Sequence, residues 1–250
     1  MSGKSKKVRN ILALSGGKDS AALAVYLRGK IPDLEYVFMD TGYELPETYE
    51  YLQRMRAILG IDIKVIKSEY TFEDWLRLKN YYLPSPQRRW CTETLKIKPY
   101  EKYVGNDRAY SYIGIRADED RDGYISSNNK IIPKYPFVED GLVYQDVESL
   151  LDSSGLGFPA YYSWRSRSGC YFCFFQQKIE WINLYENHKD LFEKAMSFET
   201  ANKGSFEKFT WCQNESLKDL LERAETIKSE FKKNSLTSKT ASNKGKSNCL

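Results

Sequence analysis

Short apolar runs alternate with helically spaced apolar residues along the first half of the chain. Residues 8–14 form an apolar run that ends in Ser15-Gly16-Gly17, the pattern of a buried strand and a turn. Over residues 19–29, Ala21, Ala22, Leu23, Val25, Tyr26 and Leu27 predict an apolar helix closed by glycine. Residues 34–39 predict a second strand. Residues 46–59 predict a helix with proline in its first turn and Gly60 behind its end. Ile61, Ile63 and Val65 alternate within a third strand over 61–66. A helix is expected over 71–78 and a fourth strand over 110–115. This order predicts an α/β fold, a doubly wound and mostly parallel sheet with helices on both faces. Ligands of such sheets sit beyond the carboxyl ends of the strands, which singles out Ser15, Asp40 and Arg116.

The second half shows no regular pattern until about residue 175. Helices are then expected over 175–187, 189–199 and 216–233, together forming a C-terminal helical cap packed against the sheet. Residues 234–250 are Ser, Lys, Asn and Thr with almost nothing apolar, so disorder is expected there. The expected organisation is a basic segment over 1–9, a nucleotide-binding α/β domain over 10–160, a cysteine-containing helical region over 161–233 and a basic tail over 234–250. No internal repeat is visible.

Charge changes the picture modestly. The net charge is +4. Four basic residues lie within 1–9 and a surplus of five positive charges within 228–250, so residues 10–227 carry −5. Basic ends on an acidic body can hold a polyanion loosely, although such ends commonly serve only as solubilising tails. No run of 18 apolar residues exists and the lysine-rich start lacks the apolar stretch of a signal peptide, so a cytoplasmic protein without a membrane partner is expected. The five cysteines, Cys91, Cys170, Cys173, Cys212 and Cys249, are an odd number. In a cytoplasmic chain this argues for metal binding or sulfur chemistry over a disulfide framework.

The sharpest chemical signal is Ser15-Gly16-Gly17-Lys18-Asp19-Ser20. Two glycines let the backbone approach a ligand, and a helix starting behind them offers its amides to an anion. Lys18 adds a point charge, Ser15 and Ser20 add donors, and Asp19 can help hold a magnesium ion that bridges phosphates. The spacing is not that of the Walker loop. A plain strand-to-helix turn also tolerates two glycines, but does not require serine, lysine and aspartate around them.

The hexapeptide is similar to the PP-loop of ATP pyrophosphatases, S-G-G-x-D-S. Further segments resemble the phosphoadenosine phosphosulfate (PAPS) reductase family. They are Asp40-Thr41-Gly42 with Glu44, Pro46, Glu47 and Thr48; Cys91 followed by Lys96 and Pro99; Gly114-Ile115-Arg116 with Arg121; and Gly169-Cys170 with Cys173. Glu119 and Asp120 stand where that family usually has serine. The likeness extends over roughly residues 11–200. It implies a sheet of the adenine nucleotide alpha hydrolase-like (HUP) type. ATP would bind at Ser15, Gly16, Gly17, Lys18, Asp19, Ser20, Asp40 and Gly114. Catalysis would involve Lys18, Asp19, Cys91 and Arg116, and substrate contacts would come from Arg88, Arg89, Lys96 and Arg121.

Two departures refine the resemblance. Reductases of already activated sulfate usually have a degenerate loop without the lysine, whereas Lys18 is present here. Those reductases also end in a segment carrying a nucleophilic cysteine beside glutamate, glycine and histidine, and Cys249 has none of these neighbours. The closer likeness is to the ATP-pyrophosphatase subunits of DNA phosphorothioation systems of the Dnd and Ssp types, which serve in antiphage defence. That resemblance implies a cysteine desulfurase as sulfur donor, other DNA-modification subunits as partners, and DNA bound weakly or through them. The alternatives are a sulfonucleotide reductase, an ATP-dependent tRNA thiolase and a non-enzymatic nucleotide sensor.

Cys170 and Cys173 have metal-ligand or redox spacing. Iron–sulfur members of the family place a doubled cysteine at about the distance of Cys91, but here its neighbour is Trp90. A 4Fe-4S cluster would need Cys91, Cys170, Cys173 and Cys212 together. Free redox or persulfide-carrying thiols, zinc and simple burial are the other readings. Arg165 and Arg167 join a set of basic residues dense for an acidic body, and His188, the single histidine, is expected at an exposed helix junction.

Overall fold

The computed structural model describes residues 8–120, 128–199 and 209–244, with the side chains of the last stretch described as far as Asn234. The chain divides into two compact units. One comprises Met1–Leu78 with Arg89–Cys170, the other Lys79–Arg88 with Tyr171–Leu250.

The first unit is built on five parallel strands: β1 (Arg9–Leu14), β2 (Leu34–Asp40), β3 (Ile63–Lys67), β4 (Ala109–Tyr112) and β5 (Ile131–Lys134). Their order is β3-β2-β1-β4-β5, which places β1 at the centre. Side chains on a strand alternate between faces, so each strand feeds two cores. Leu12 and Leu14 of β1 and Tyr36 and Phe38 of β2 join Leu23, Leu52, Met55, Val147 and Leu151 in one cluster. Those partners come from α1 (Lys18–Leu27), α2 (Pro46–Leu59) and α7 (Tyr144–Ser153). Ile11, Val37, Ala109 and Ile131 point the other way, to Tyr100 and Val104 of α5 (Lys98–Val104). The expected doubly wound sheet with helices on both faces is therefore present.

β5 and α7 are among the elements of this unit that escaped the sequence pattern. β5 has four residues and contains Pro133, which reads as a strand breaker. On an outer strand the missing N–H costs no ladder bond. α7 lies in the stretch expected to be irregular. Only Val147 and Leu151 of its residues are fully buried, a two-residue stripe too sparse to register as a period. Asp146 caps it by accepting the Val143 N–H at 2.8 Å. Between β3 and β4 lie α3 (Phe72–Leu78), α4 (Trp90–Thr92) and a π-helical turn, Glu93–Ile97, that runs into α5. α6 (Pro136–Glu139) follows β5, and a 3-10 turn, Ala160–Ser163, follows α7.

The second unit carries α8 (Lys178–Asn187), α9 (Lys189–Glu199), α10 (Leu217–Glu222) and α11 (Ala224–Lys244). Its core is aromatic: Phe172 stacks on Trp211 at 5.2 Å, and Trp181 and Phe198 pack around the same indole. The helix expected over 216–233 is two helices. Arg223 leaves the helical region at the junction and its guanidinium bonds both Glu215 oxygens. The second helix continues to Lys244, into the stretch expected to be disordered. No glycine or proline interrupts residues 224–244, so nothing in the backbone stops it.

Candidate active site

β1 stops at Leu14 and the chain turns through Ser15-Gly16-Gly17 into α1. Gly16 has φ +73°, where a side chain is strained, and an added Cβ would lie 2.5 Å from Thr48 Cγ2. Gly17 is the extended N-cap of α1 and has no side chain of its own to cap the helix. Its positive end is therefore presented to the loop, the arrangement that attracts an anion. The serines mainly knit the loop to itself. Ser15 N–H donates to Ser20 Oγ at 3.1 Å, Ser20 Oγ donates to the Gly17 carbonyl at 3.1 Å, and Gly17 N–H donates to Ser15 Oγ at 3.3 Å.

Three side chains over the loop were not singled out in the sequence. Tyr161 is buried and donates its hydroxyl to the Gly16 carbonyl at 2.8 Å. Tyr162 accepts a long bond, 3.4 Å, from the Lys18 N–H. Ser168 donates to Ser15 Oγ at 3.3 Å and stands where a Gly17 Cβ would be, 2.6 Å from its Oγ. Residues 160–168 carry no period, and their only sequence signal is the density of hydroxyl and guanidinium groups. Burial pushes the Tyr162 phenol up to about 12, so it stays protonated at neutral pH.

Lys18 and Asp19 form the charged centre. Lys18 Nζ lies 2.8 Å from Asp19 Oδ2 and within 5.6 Å of the ring centres of Tyr144 and Tyr162. The other oxygen of Asp19 accepts from Arg116 at 2.7 Å. Arg116 follows β4, as expected, and is held by Asp118 at 2.8 Å and by Glu119 at 3.6 Å. Burial works against its charge, but these carboxylates outweigh burial and hold its pKa above the ordinary arginine value. Glu119, which departs from the resembled motif, therefore has a local use: it also accepts the Arg116 backbone N–H at 3.1 Å. Gly114 serves packing. A Cβ there would lie 2.8 Å from the Asp19 carbonyl oxygen, so only glycine lets the start of α1 sit this close to the end of β4.

A second cluster follows β2. Asp40 is buried and accepts from Gly42 N–H and Tyr49 OH, both at 2.8 Å, and pairs with Lys67 at 3.2 Å. These bonds shape the turn. Behind them, Glu44 Oε1 accepts from Thr41 at 3.0 Å and from the Cys170 thiol at 3.7 Å, and lies 3.6 Å from Lys96 Nζ. Thr41 Oγ1 is itself 3.2 Å from Cys170 Sγ. The π-helical turn carries Lys96; such turns recur at functional sites.

Uncapped helix, lysine, paired aspartate and arginine thus converge beyond the central strands, where the fold rule places ligands. Residues 9–128 match the phosphoadenosine phosphosulfate reductase domain. The pyrophosphate-type loop, Asp40, Lys96 and Arg116 fall inside that stretch; Tyr161, Tyr162, Ser168 and Cys170 fall outside it. An uncharacterized protein of Methanocaldococcus jannaschii is 27% identical over 199 residues, 73% of this chain and 45% of its own length. An adenosine 5'-phosphosulfate reductase of Halalkalibacterium halodurans is 27% identical over 110 residues, 44% of this chain and 47% of its own length. The chain thus spans less than half of either relative. Among solved structures, a PAPS reductase from Candida auris in a phosphate complex superposes with a TM-score of 0.52 at 13% identity, over 67% of this chain and 83% of that one. That likeness supports the fold, an adenine nucleotide alpha hydrolase-like sheet.

The remaining expected site residues divide. Arg88 and Arg89 are exposed; Arg88 lies over the Tyr82 ring at 5.3 Å in the second unit, and Arg89 belongs to the first. Arg121 and Cys249 lie outside the described residues. Cys91, in α4 of the first unit, is half-buried. Cys173 and Cys212 belong to the second unit. The 4Fe-4S reading finds no support: among the described residues no three His, Cys, Asp or Glu side chains are grouped to hold a metal. Burial pushes the Cys212 thiol up to about 11. No helix of the described residues is long and apolar enough to cross a membrane.

Proposed function

We propose that this chain is an ATP pyrophosphatase that adenylates an acceptor oxygen so that sulfur can replace it. The observation that carries the reading is the uncapped start of α1 behind a left-handed Gly16, with Lys18 and Arg116 flanking Asp19. The β,γ-pyrophosphate of ATP fits such a cradle: backbone amides and Lys18 meet its charge. The acceptor oxygen attacks the α-phosphorus and pyrophosphate leaves. A sulfur nucleophile then displaces AMP. Asp19 is the carboxylate at the loop that would hold magnesium, an ion that takes one or two carboxylates and completes its shell with phosphate and water. Arg116, freed from part of its carboxylate shell, would turn its planar fork toward phosphate oxygens.

The acceptor in this reading is the DNA backbone. A cysteine desulfurase supplies the sulfur, and other modification subunits hold the DNA. Supporting it is the intact loop, which favours ATP as the substrate. The test has two arms. Purified protein should convert ATP to AMP and pyrophosphate, and Lys18→Ala should lower that rate about a hundredfold or more; ADP and phosphate as products would sink the pyrophosphatase reading. In the host, deleting the gene should abolish phosphorothioate dinucleotides in digested DNA, with wild type but not Lys18→Ala restoring them. Their persistence would remove DNA as acceptor. The similarity to an adenosine 5'-phosphosulfate reductase favours one second reading, reduction of adenylyl sulfate, which sulfite release from that compound would reveal.

A further inference from the structure

The cluster behind Asp40 contains more chemistry than a turn needs. Glu44 has a side chain with no exposure, yet its three donors, Thr41, Cys170 and Lys96, all crowd one oxygen. The other oxygen, Oε2, is buried without a hydrogen-bond partner. Arg165 is 2% exposed. One of its nitrogens donates to the Cys170 carbonyl at 2.8 Å, while Nε and Nη1 are buried without a partner. Leaving such atoms unmet is costly, and more so for charged groups. Three unmet polar atoms, an acceptor and two donors, thus lie on two buried charged side chains that bond Cys170, one at its half-buried thiol and one at its carbonyl.

We infer that this is where sulfur enters: Cys170 takes the outer sulfur of a persulfide, R–S–S–H, and Glu44 receives the thiol proton. This rests on the sulfur-transfer reading above. Cys170 Sγ attacks the outer sulfur, the S–S bond breaks, and the donor leaves as R–S⁻. The proton held on Glu44 passes to that leaving thiolate. The products are the Cys170 persulfide and R–S–H, with no net oxidation. Arg165 offers its two unmet donors to the negative charge that builds on sulfur. Lys96 acts through Glu44 as a positioning residue, its ammonium 3.6 Å from the carboxylate oxygen that faces the thiol. Cys91, also half-buried, is not the acceptor in this scheme.

The experiment uses the full chain and glutathione persulfide as the probe, without ATP. Peptide mapping by mass spectrometry should find one added sulfur atom on Cys170. Glu44→Gln should slow its appearance roughly a hundredfold, and Glu44→Asp should recover part of the rate. Lys96→Met should slow it about tenfold, through the loss of the nearby charge, and Lys96→Arg should restore it; a purely structural role would leave both lysine variants alike. Sulfur appearing first on Cys91 or Cys173, or equal rates in wild type and a folded Glu44→Gln protein, would overturn the assignment. If Glu44→Gln does not fold, the two lysine variants decide, since Lys96 is partly exposed. The labelling needs no nucleotide, so its failure leaves ATP cleavage standing. Release of ADP from ATP would sink the pyrophosphatase reading without touching the label.

Discussion

Gly114 shows how one absent side chain positions the charged centre. A Cβ at this position would meet only backbone: the Asp19 carbonyl oxygen at 2.8 Å, its carbon at 3.0 Å and the Ser20 nitrogen at 3.2 Å. Backbone cannot swing aside as a flexible side chain can. Gly114→Ala should therefore push the first turn of α1 away from Arg116, at a stability cost of about 1–3 kcal/mol. Gly29→Ala is a contrasting control, because its φ of +75° is strained for alanine but its surroundings are open. Thermal unfolding should show both variants destabilised, while nucleotide affinity falls only in Gly114→Ala. Equal affinity in the two would mean that the Asp19–Arg116 pair does not depend on this approach.

At the scale of elements, the C-terminal unit is tied by a buried carboxylate. Glu199, at the end of α9, accepts the Trp211 N–H at 2.9 Å and the Leu217 N–H at 2.8 Å, joining three segments. Burial raises its pKa to about 7, and the two backbone donors only partly offset this. The folded state thus holds the proton more tightly than the unfolded state, whose value is 4.5. The stability this group contributes is fully present below 4.5 and is lost as pH rises through about 7. Tryptophan fluorescence, with Trp181 and Trp211 reporting, should show the melting temperature of this unit falling across that window. Glu199→Gln keeps one acceptor and should lower the melting temperature while flattening its pH dependence; an unchanged slope would assign the effect to another group.

For the whole molecule, charge decides how nucleic acid is met. The body from 10 to 227 carries −5 and the ends are basic. A chain that grips DNA alone shows a basic face. Binding by the isolated protein should therefore be weak and strongly salt-dependent, and removing residues 234–250 should reduce the salt slope by up to about three, the number of lysines lost, each worth roughly one contact. Tight, salt-insensitive binding, or a slope unchanged by truncation, would place DNA recognition on the folded body.

What the sequence determined by itself was everything carried by local periodicity. Strands β1 to β4, helices α1 and α2, and the loop at Ser15–Ser20 are legible because alternation, helical spacing and glycine placement act between near neighbours. Asp40 and Arg116 were legible for the same reason, as residues just beyond predicted strands. Tertiary structure alone decided the rest. Pro133 sits in a strand only because that strand is outermost, and α7 is a helix only because Val147 and Leu151 find the core shared with α1. Tyr161 and Tyr162 reach the loop across some 145 residues of chain, and Cys170 meets Glu44 across 126. Contacts of that separation leave no period in the sequence, because they depend on how the sheet folds the chain back and not on what stands beside each residue.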